Sequence, residues 1–294
     1  CSHNGEFERA RRLLEFVIEN YDVDRRFAYG RINDPLVHAL AWMSWIHSTT
    51  GRLDLAREHS RRAVAHATRI AEPFALSQAL SVGALAFAEA GDVEETLSMC
   101  RRCVELCEAQ NMPNWRVWAV VHEGVALSVA GNHERARNCF ALSIELMAAA
   151  ANLNNIGFLY ARWARELAML GDFAEARHVH AIGHSECLAT GQHLMLNELN
   201  LAHGMVELLD PASDAASKEQ RLSFALSGAR ESGMRLVELR AAVALAGFWK
   251  SRGRGEAGDA LILSTLDRLD QVGDCADVRA ARAAIEESAS TVSK

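Results

Sequence analysis

The chain has 294 residues, half of them hydrophobic, and a formal net charge of −7. That charge argues against a nucleic-acid partner, which is held through basic surface, and the length suits two ordinary domains or one repeat array. No run of about twenty uncharged apolar residues reads as a membrane span, and no signal peptide is visible. Seven cysteines without framework spacing predict a reducing compartment, by default the cytoplasm.

Residues 6–22 read as a helix, with Phe7, Ala10, Leu13, Leu14, Val17 and Ile18 on one face. Nothing precedes it that could pair with it, so it is expected to be the second helix of an incomplete hairpin. The start at Cys1 is expected to be internal to a longer chain. Residues 1–33 are therefore a partial repeat followed by a connector. At Asp34-Pro35 a new helix starts, with an aspartate cap and a proline at the first helical position. Pro73 and Pro113 fall at comparable places further on.

From here the sequence repeats. Gly51, Gly91, Gly131 and Gly171 recur at equal spacing, each between two apolar stretches of helical period and each soon followed by Asp, Asn or Glu. Glycine supplies the left-handed residue that ends a helix, and the acidic or amide side chain suits the positive end of the next one. Each glycine is thus the turn of a helical hairpin, and residues 34–190 hold four hairpins. Aligned on the glycines, several columns stay small: Ser44, Ala84, Gly124 and Ala164 before the turn, then Ala56, Thr96, Ala136 and Ala176, and Ala63, Cys103, Ser143 and Gly183 after it. Small residues at fixed sites let two helices approach closely.

These columns resemble the tetratricopeptide repeat, with a period of forty where that family's is about 34. The resemblance implies an all-α, right-handed superhelical solenoid of helical hairpins, about six or seven in number. After Gly191 the register loosens. A helix from Leu194 to about Leu209, a loop over 210–218, a helix near 219–231, a pair around Gly253 and a last helix over 276–288 are expected, making 191–288 a run of divergent hairpins before a polar tail, 289–294. Asn197-Glu198-Leu199-Asn200-Leu201-Ala202-His203-Gly204, Val237 to Ala246 and Arg252-Gly253-Arg254 are similar to the helical-repeat region of large bacterial signalling proteins. In those proteins such repeats follow a signal-transduction ATPase, itself joined to a class III adenylate or guanylate cyclase domain or to a LuxR-type DNA-binding domain.

No catalytic motif is present: neither a phosphate-binding Gly-x-x-x-x-Gly-Lys-Ser/Thr loop nor a Gly-x-Ser-x-Gly elbow. The chain reads as non-enzymatic and without cofactor, although its intact parent could be a cyclase. Cys100, Cys103 and Cys107 share a helix face like a metal signature. They occupy the packing columns of Ser60, Ala63 and Ala67, and are expected to be buried, reduced and metal-free. His180 and His184, with Cys187 nearby, have the spacing of a metal pair, but no further ligand is identifiable and they too fall in packing columns.

The first helix of each hairpin lines the concave surface in tetratricopeptide arrays. If the same holds here, Trp45, Leu85, Trp118 and Phe158 share one face with His122, and Arg162 and Arg165 lie beyond them. Such a groove would be aromatic at first and basic by the fourth hairpin, suited to a protein or peptide with an acidic end. The expected role is a protein-binding, regulatory module of a multidomain signalling protein, its partner possibly the upstream part of its own chain. The alternative is a sensor segment of a nucleotide cyclase or transcriptional regulator that takes a small inducer in the concave surface.

Overall fold

A computed structural model describes residues 6–24, 33–150, 154–269 and 273–292. Among these residues there are 14 α-helices and no β-strand, the all-α hairpin array that the period predicts. The chain divides into two compact units, Cys1–Leu153 and Asn154–Lys294.

The first unit holds α1 (Phe7–Glu19), α2 (Pro35–Thr49), α3 (Leu53–Ile70), α4 (Pro73–Ala90), α5 (Val93–Gln110), α6 (Pro113–Val129) and α7 (His133–Ala150). The second holds α8 (Ile156–Met169), α9 (Phe173–Thr190), α10 (Leu196–Leu209), α11 (Ala215–Ser232), α12 (Arg235–Ser251), α13 (Gly255–Leu266) and α14 (Ala276–Val292). Two details differ from the sequence reading. α11 starts four residues early because Asp214 caps it, accepting from the Ser217 amide at 2.9 Å. α14 continues to Val292, into the stretch expected to be a tail. Most of the expected connector, residues 25–32, lies outside the described residues.

The turns explain the long period. Gly51, Gly91, Gly131, Gly171 and Gly253 all have positive φ, between 75° and 85°, as a hairpin turn on glycine requires. A second left-handed series separates one hairpin from the next: Ala71 (φ 54°), Asn111 (52°), Gly191 (68°), Gly233 (72°) and Gly273 (69°). The left-handed positions therefore fall about twenty residues apart. Each unbroken step is a helix of 17 or 18 residues, such as α3, α4 and α5, plus a turn of about two. A helix of that length spans about 27 Å.

The small columns do what their size permits. Ser44, Ala84 and Ala164, then Ala56, Thr96, Ala136 and Ala176, are all fully buried. A Cβ placed on Gly124 would stand 2.8 Å from the Phe140 ring, so α6 and α7 meet where no side chain fits between them. The first helices of the hairpins pack on one another, α2 on α4 and α4 on α6, and each also meets the second helices on either side. α4 is accordingly buried at 15 of its 18 positions, whereas α5 is buried at five of 18. A helix apolar all round, as α4 is apart from Glu89 and a few small polar residues, belongs in such a place.

Candidate functional site

In the first unit the columns expected to line a groove run along α2, α4 and α6. Trp45, Leu85, Trp118 and His122 are 7%, 5%, 9% and 4% exposed. The expectation of an open groove at these four positions is corrected: they pack inside the unit and show only an edge. The reason is geometric, since each of these first helices packs on a neighbouring first helix and has a second helix on either flank, which leaves little free face. Within that layer the rings meet at angles favoured by aromatic quadrupoles. Trp42 and Trp45 are 5.8 Å apart and near perpendicular, and Trp118 lies 6.0 Å from His122. Polar atoms are satisfied across neighbouring first helices. Gln78 Nε2 donates to His38 Nδ1 at 3.1 Å. His122 Nδ1 donates to the Ser81 carbonyl at 2.8 Å, which fixes the tautomer because a carbonyl can only accept. In these columns His38 and Trp42 retain partial exposure.

In the second unit the same columns are charged. Phe158 is 9% exposed and Arg162 is 3% exposed. The Arg162 guanidinium lies 4.7 Å over the Phe158 ring and donates to Glu198 of α10 at 3.4 Å. Arg165 keeps more surface, about a fifth of its side chain. Burial, and then the neighbouring Arg162, press its pKa below the usual guanidinium range. Further along, Glu238 of α12 is fully buried and receives three guanidiniums: Arg235 at 2.8 Å, Arg230 at 3.0 Å and Arg268 at 3.1 Å. Burial by itself would raise its pKa, but the three donors outweigh it and hold the carboxyl below its ordinary value. Arg240 pairs with Asp277 of α14 at 2.6 Å.

The cysteines and histidines set aside in the sequence fall as packing does. Cys100, Cys103 and Cys107 are at most 2% exposed. Burial drives the Cys100 thiol well above its ordinary pKa, so it stays a neutral, unreactive filler. Cys187 lies against Gly157 of α8. The His180 ring is 6.1 Å from His184 but only 4.6 Å from His203 of α10, a neighbour that helical spacing alone could not supply. Burial, followed by His203 and His184, lowers the His180 pKa to about 4. Among the described residues no group of three or more His, Cys, Asp or Glu side chains is placed to hold a metal ion, and no helix is long and apolar enough to cross a membrane.

No protein-family profile and no curated protein matches the chain. Solved structures do match its fold. A Rap protein complexed with competence and sporulation factor superposes with a TM-score of 0.68 at 10% identity, over 90% of this chain and 72% of that one. Aspartyl phosphate phosphatase F from Bacillus subtilis does so with 0.62 at 16% identity, over 82% of this chain; the alignment spans 61% of the phosphatase's length. A signal-transduction ATPase with numerous domains and a tetratricopeptide repeat sensor, from Pyrococcus horikoshii, gives 0.50 at 14% identity, over 90% of this chain and 39% of that one. At these identities the likeness defines a fold, the tetratricopeptide-like array of helical hairpins.

Proposed function

We propose that the chain is a non-catalytic regulatory module that binds a protein or peptide through the first helices of its hairpins. The observation that carries this reading is the pairing of a tetratricopeptide-like array with first-helix columns rich in aromatic and arginine side chains, the residue types that dominate binding hot spots. Among its structural neighbours one is complexed with competence and sporulation factor and another is a signal-transduction ATPase with a tetratricopeptide repeat sensor. Both descriptions suit a regulatory part of a larger signalling protein, with an upstream cyclase or transcriptional output as the finer reading.

The burial of these columns changes how they would work. The first contacts with a partner come from His38 and Trp42 in the first unit and from Arg165 in the second, which keep surface. Trp45, Leu85, Trp118 and His122 form the packed layer behind the first two, and Phe158 and Arg162 pack beside Arg165 in the second unit. Removing Trp42 should therefore cost partner affinity at unchanged melting temperature, whereas removing Trp118 should lower the melting temperature first. The test is binding of the chain, by calorimetry, to signal-transduction ATPase and cyclase domains supplied as separate proteins, for Trp42→Ala, Arg165→Glu and the parent. Unchanged affinity in both variants would reject this surface. The sensor alternative, a small inducer, predicts instead a raised melting temperature on ligand screening.

A further inference from the structure

Away from those columns, α1, α2 and α3 enclose a cleft of about 340 Å³ whose lining is dominated by ionisable groups. Arg11 and Glu15 enter from α1, His47 from α2, His59 and Arg62 from α3, and Arg52 from the turn between the last two. The His47 and His59 rings lie 5.2 Å apart. His47 is only 3% exposed, yet its Nδ1 has no hydrogen-bond partner, an arrangement that native interiors seldom leave without a reason. His59 Nδ1 donates to the Leu55 carbonyl at 2.7 Å, which leaves its Nε2 as the atom available to a ligand.

The charges around the pair are mostly engaged or positive. Arg11 and Glu15 neutralise each other at 2.6 Å, and Glu8 holds Arg11 from its other side at 2.9 Å. Glu19, the remaining carboxylate of the lining, is exposed on α1. Arg62 has only a long contact to exposed Glu58, 3.7 Å. Burial first, then the charges of His59, Arg52 and Arg11, push the His47 pKa down to about 4. Arg11 is answered by its two carboxylates, so Arg62, which lines the cleft with His59, is the cation placed to meet an incoming negative group.

We propose that this cleft binds a small oxyanion, a phosphate ester or carboxylate, held between the imidazoles of His47 and His59 and the guanidinium of Arg62. The rings stand too close for an anion to pass between them, so it sits in the cleft beside the pair, where its charge stabilises a protonated imidazole. Protonation of an imidazole then becomes favourable, and the protonated ring has one more N–H to donate. Binding and proton uptake are therefore coupled, and affinity rises as pH falls through the histidine range.

The test uses sulfate, which stays doubly ionised across the range and so keeps the ligand's own titration out of the result. The full chain is titrated by calorimetry at about pH 6 and about pH 8, against chloride at equal ionic strength, in two buffers of different ionisation heat. The expected result is saturable sulfate binding at the lower pH, with about one proton taken up and about tenfold loss of affinity per pH unit above the imidazole range. His59→Gln and Arg62→Glu, at partly exposed positions, should each abolish it while helicity and melting stay as in the parent. Phenyl phosphate and succinate then separate the two sources: the natural class is the one that competes sulfate away at lower concentration. Binding no better than chloride, binding without proton uptake, or binding that survives in both folded variants would overturn the proposal.

Discussion

The two units are built on the same hairpin but join their first helices by different chemistry. In the first, the polar contacts between neighbouring first helices are neutral, Gln78 to His38 and His122 to the Ser81 carbonyl. In the second, the matching contact is ionic, Arg162 to Glu198, and Glu238 further along gathers three arginines. The small columns and turn residues are shared, so the backbone geometry does not require either choice. A neutral contact is nearly self-contained. A buried ion pair costs several kcal/mol in desolvation for each charge, and holds only while both partners are present. The second unit is therefore the one in which single charge changes propagate.

The sharpest break of this contrast is Arg162→Met. With Glu198 left 7% exposed and lacking its partner, the second unit should lose about 3–5 kcal/mol. Adding Glu198→Leu should restore most of it, a coupling visible in a double-mutant cycle by urea denaturation. A double variant as unstable as the single would show that the pair is not the organising contact. The first unit breaks instead by volume. Gly124→Leu must displace the Phe140 ring, which lies within 3 Å of the added carbon, and should cost about 1–3 kcal/mol or more. An unchanged urea midpoint would mean that α6 and α7 can separate freely there.

Acid sharpens the comparison because each unit buries a histidine whose pKa falls to about 4, His47 in the first and His180 in the second. The folded state holds both neutral, while the unfolded chain protonates them below about 6.5. Stability from each is thus complete above that value and is lost as pH falls from about 6.5 towards 4, by roughly 2–3 kcal/mol per ring. Glu238, its pKa lowered from an ordinary 4.5, keeps its contribution above that value and loses it as pH falls below it. Replacing His180 with Gln should flatten the stability loss of the second unit between about pH 6.5 and 4, and leave the acid limb of the first unit in place. Equal flattening in both would contradict the assignment. The smallest expected effect is at a turn. Ala71 has φ 54°, a left-handed conformation that costs a residue with a Cβ about 1–2 kcal/mol. Ala71→Gly should stabilise the first unit by about 1 kcal/mol, read as a higher urea midpoint.

The hairpins were legible because their requirements are local and exclusive. A positive φ at Gly51 or Gly91 selects glycine, and the close approach at Gly124 and Ala84 admits only small side chains, so both leave a periodic trace. In the first unit the second series of turns left none, since Ala71 and Asn111 adopt the same conformation without the residue that announces it. The site was less legible for a related reason. Spacing placed Trp45 and Trp118 on one helix face, but whether that face is free depends on how closely neighbouring first helices pack. Partners distant in sequence were invisible as well: His203 beside His180, Glu198 beside Arg162, and the meeting of α1 with His47 and His59 are all products of assembly.

The twenty-residue cadence is interrupted twice among the described residues, first at Asn155, which lies off the step between Gly131 and Gly171. From Gly191 the next left-handed position is Gly233, where two steps of twenty would reach residue 231, and the two extra residues fall around Pro211, between α10 and α11. At the tight turns, such as those after α3, α4 and α5, about two residues separate the helices, and one inserted residue would rotate everything after it by about 100° about the helix axis. The Pro211 loop already absorbs such an insertion, tied at its ends by Arg177 to Asp210 and Ser213. For protein engineering this is the natural port of the scaffold. A fluorescent reporter or a sortase tag spliced between Pro211 and Ser213 would leave the surrounding helices in register, whereas the same cargo at Gly131 or Gly171 would turn the following helix away from its partner.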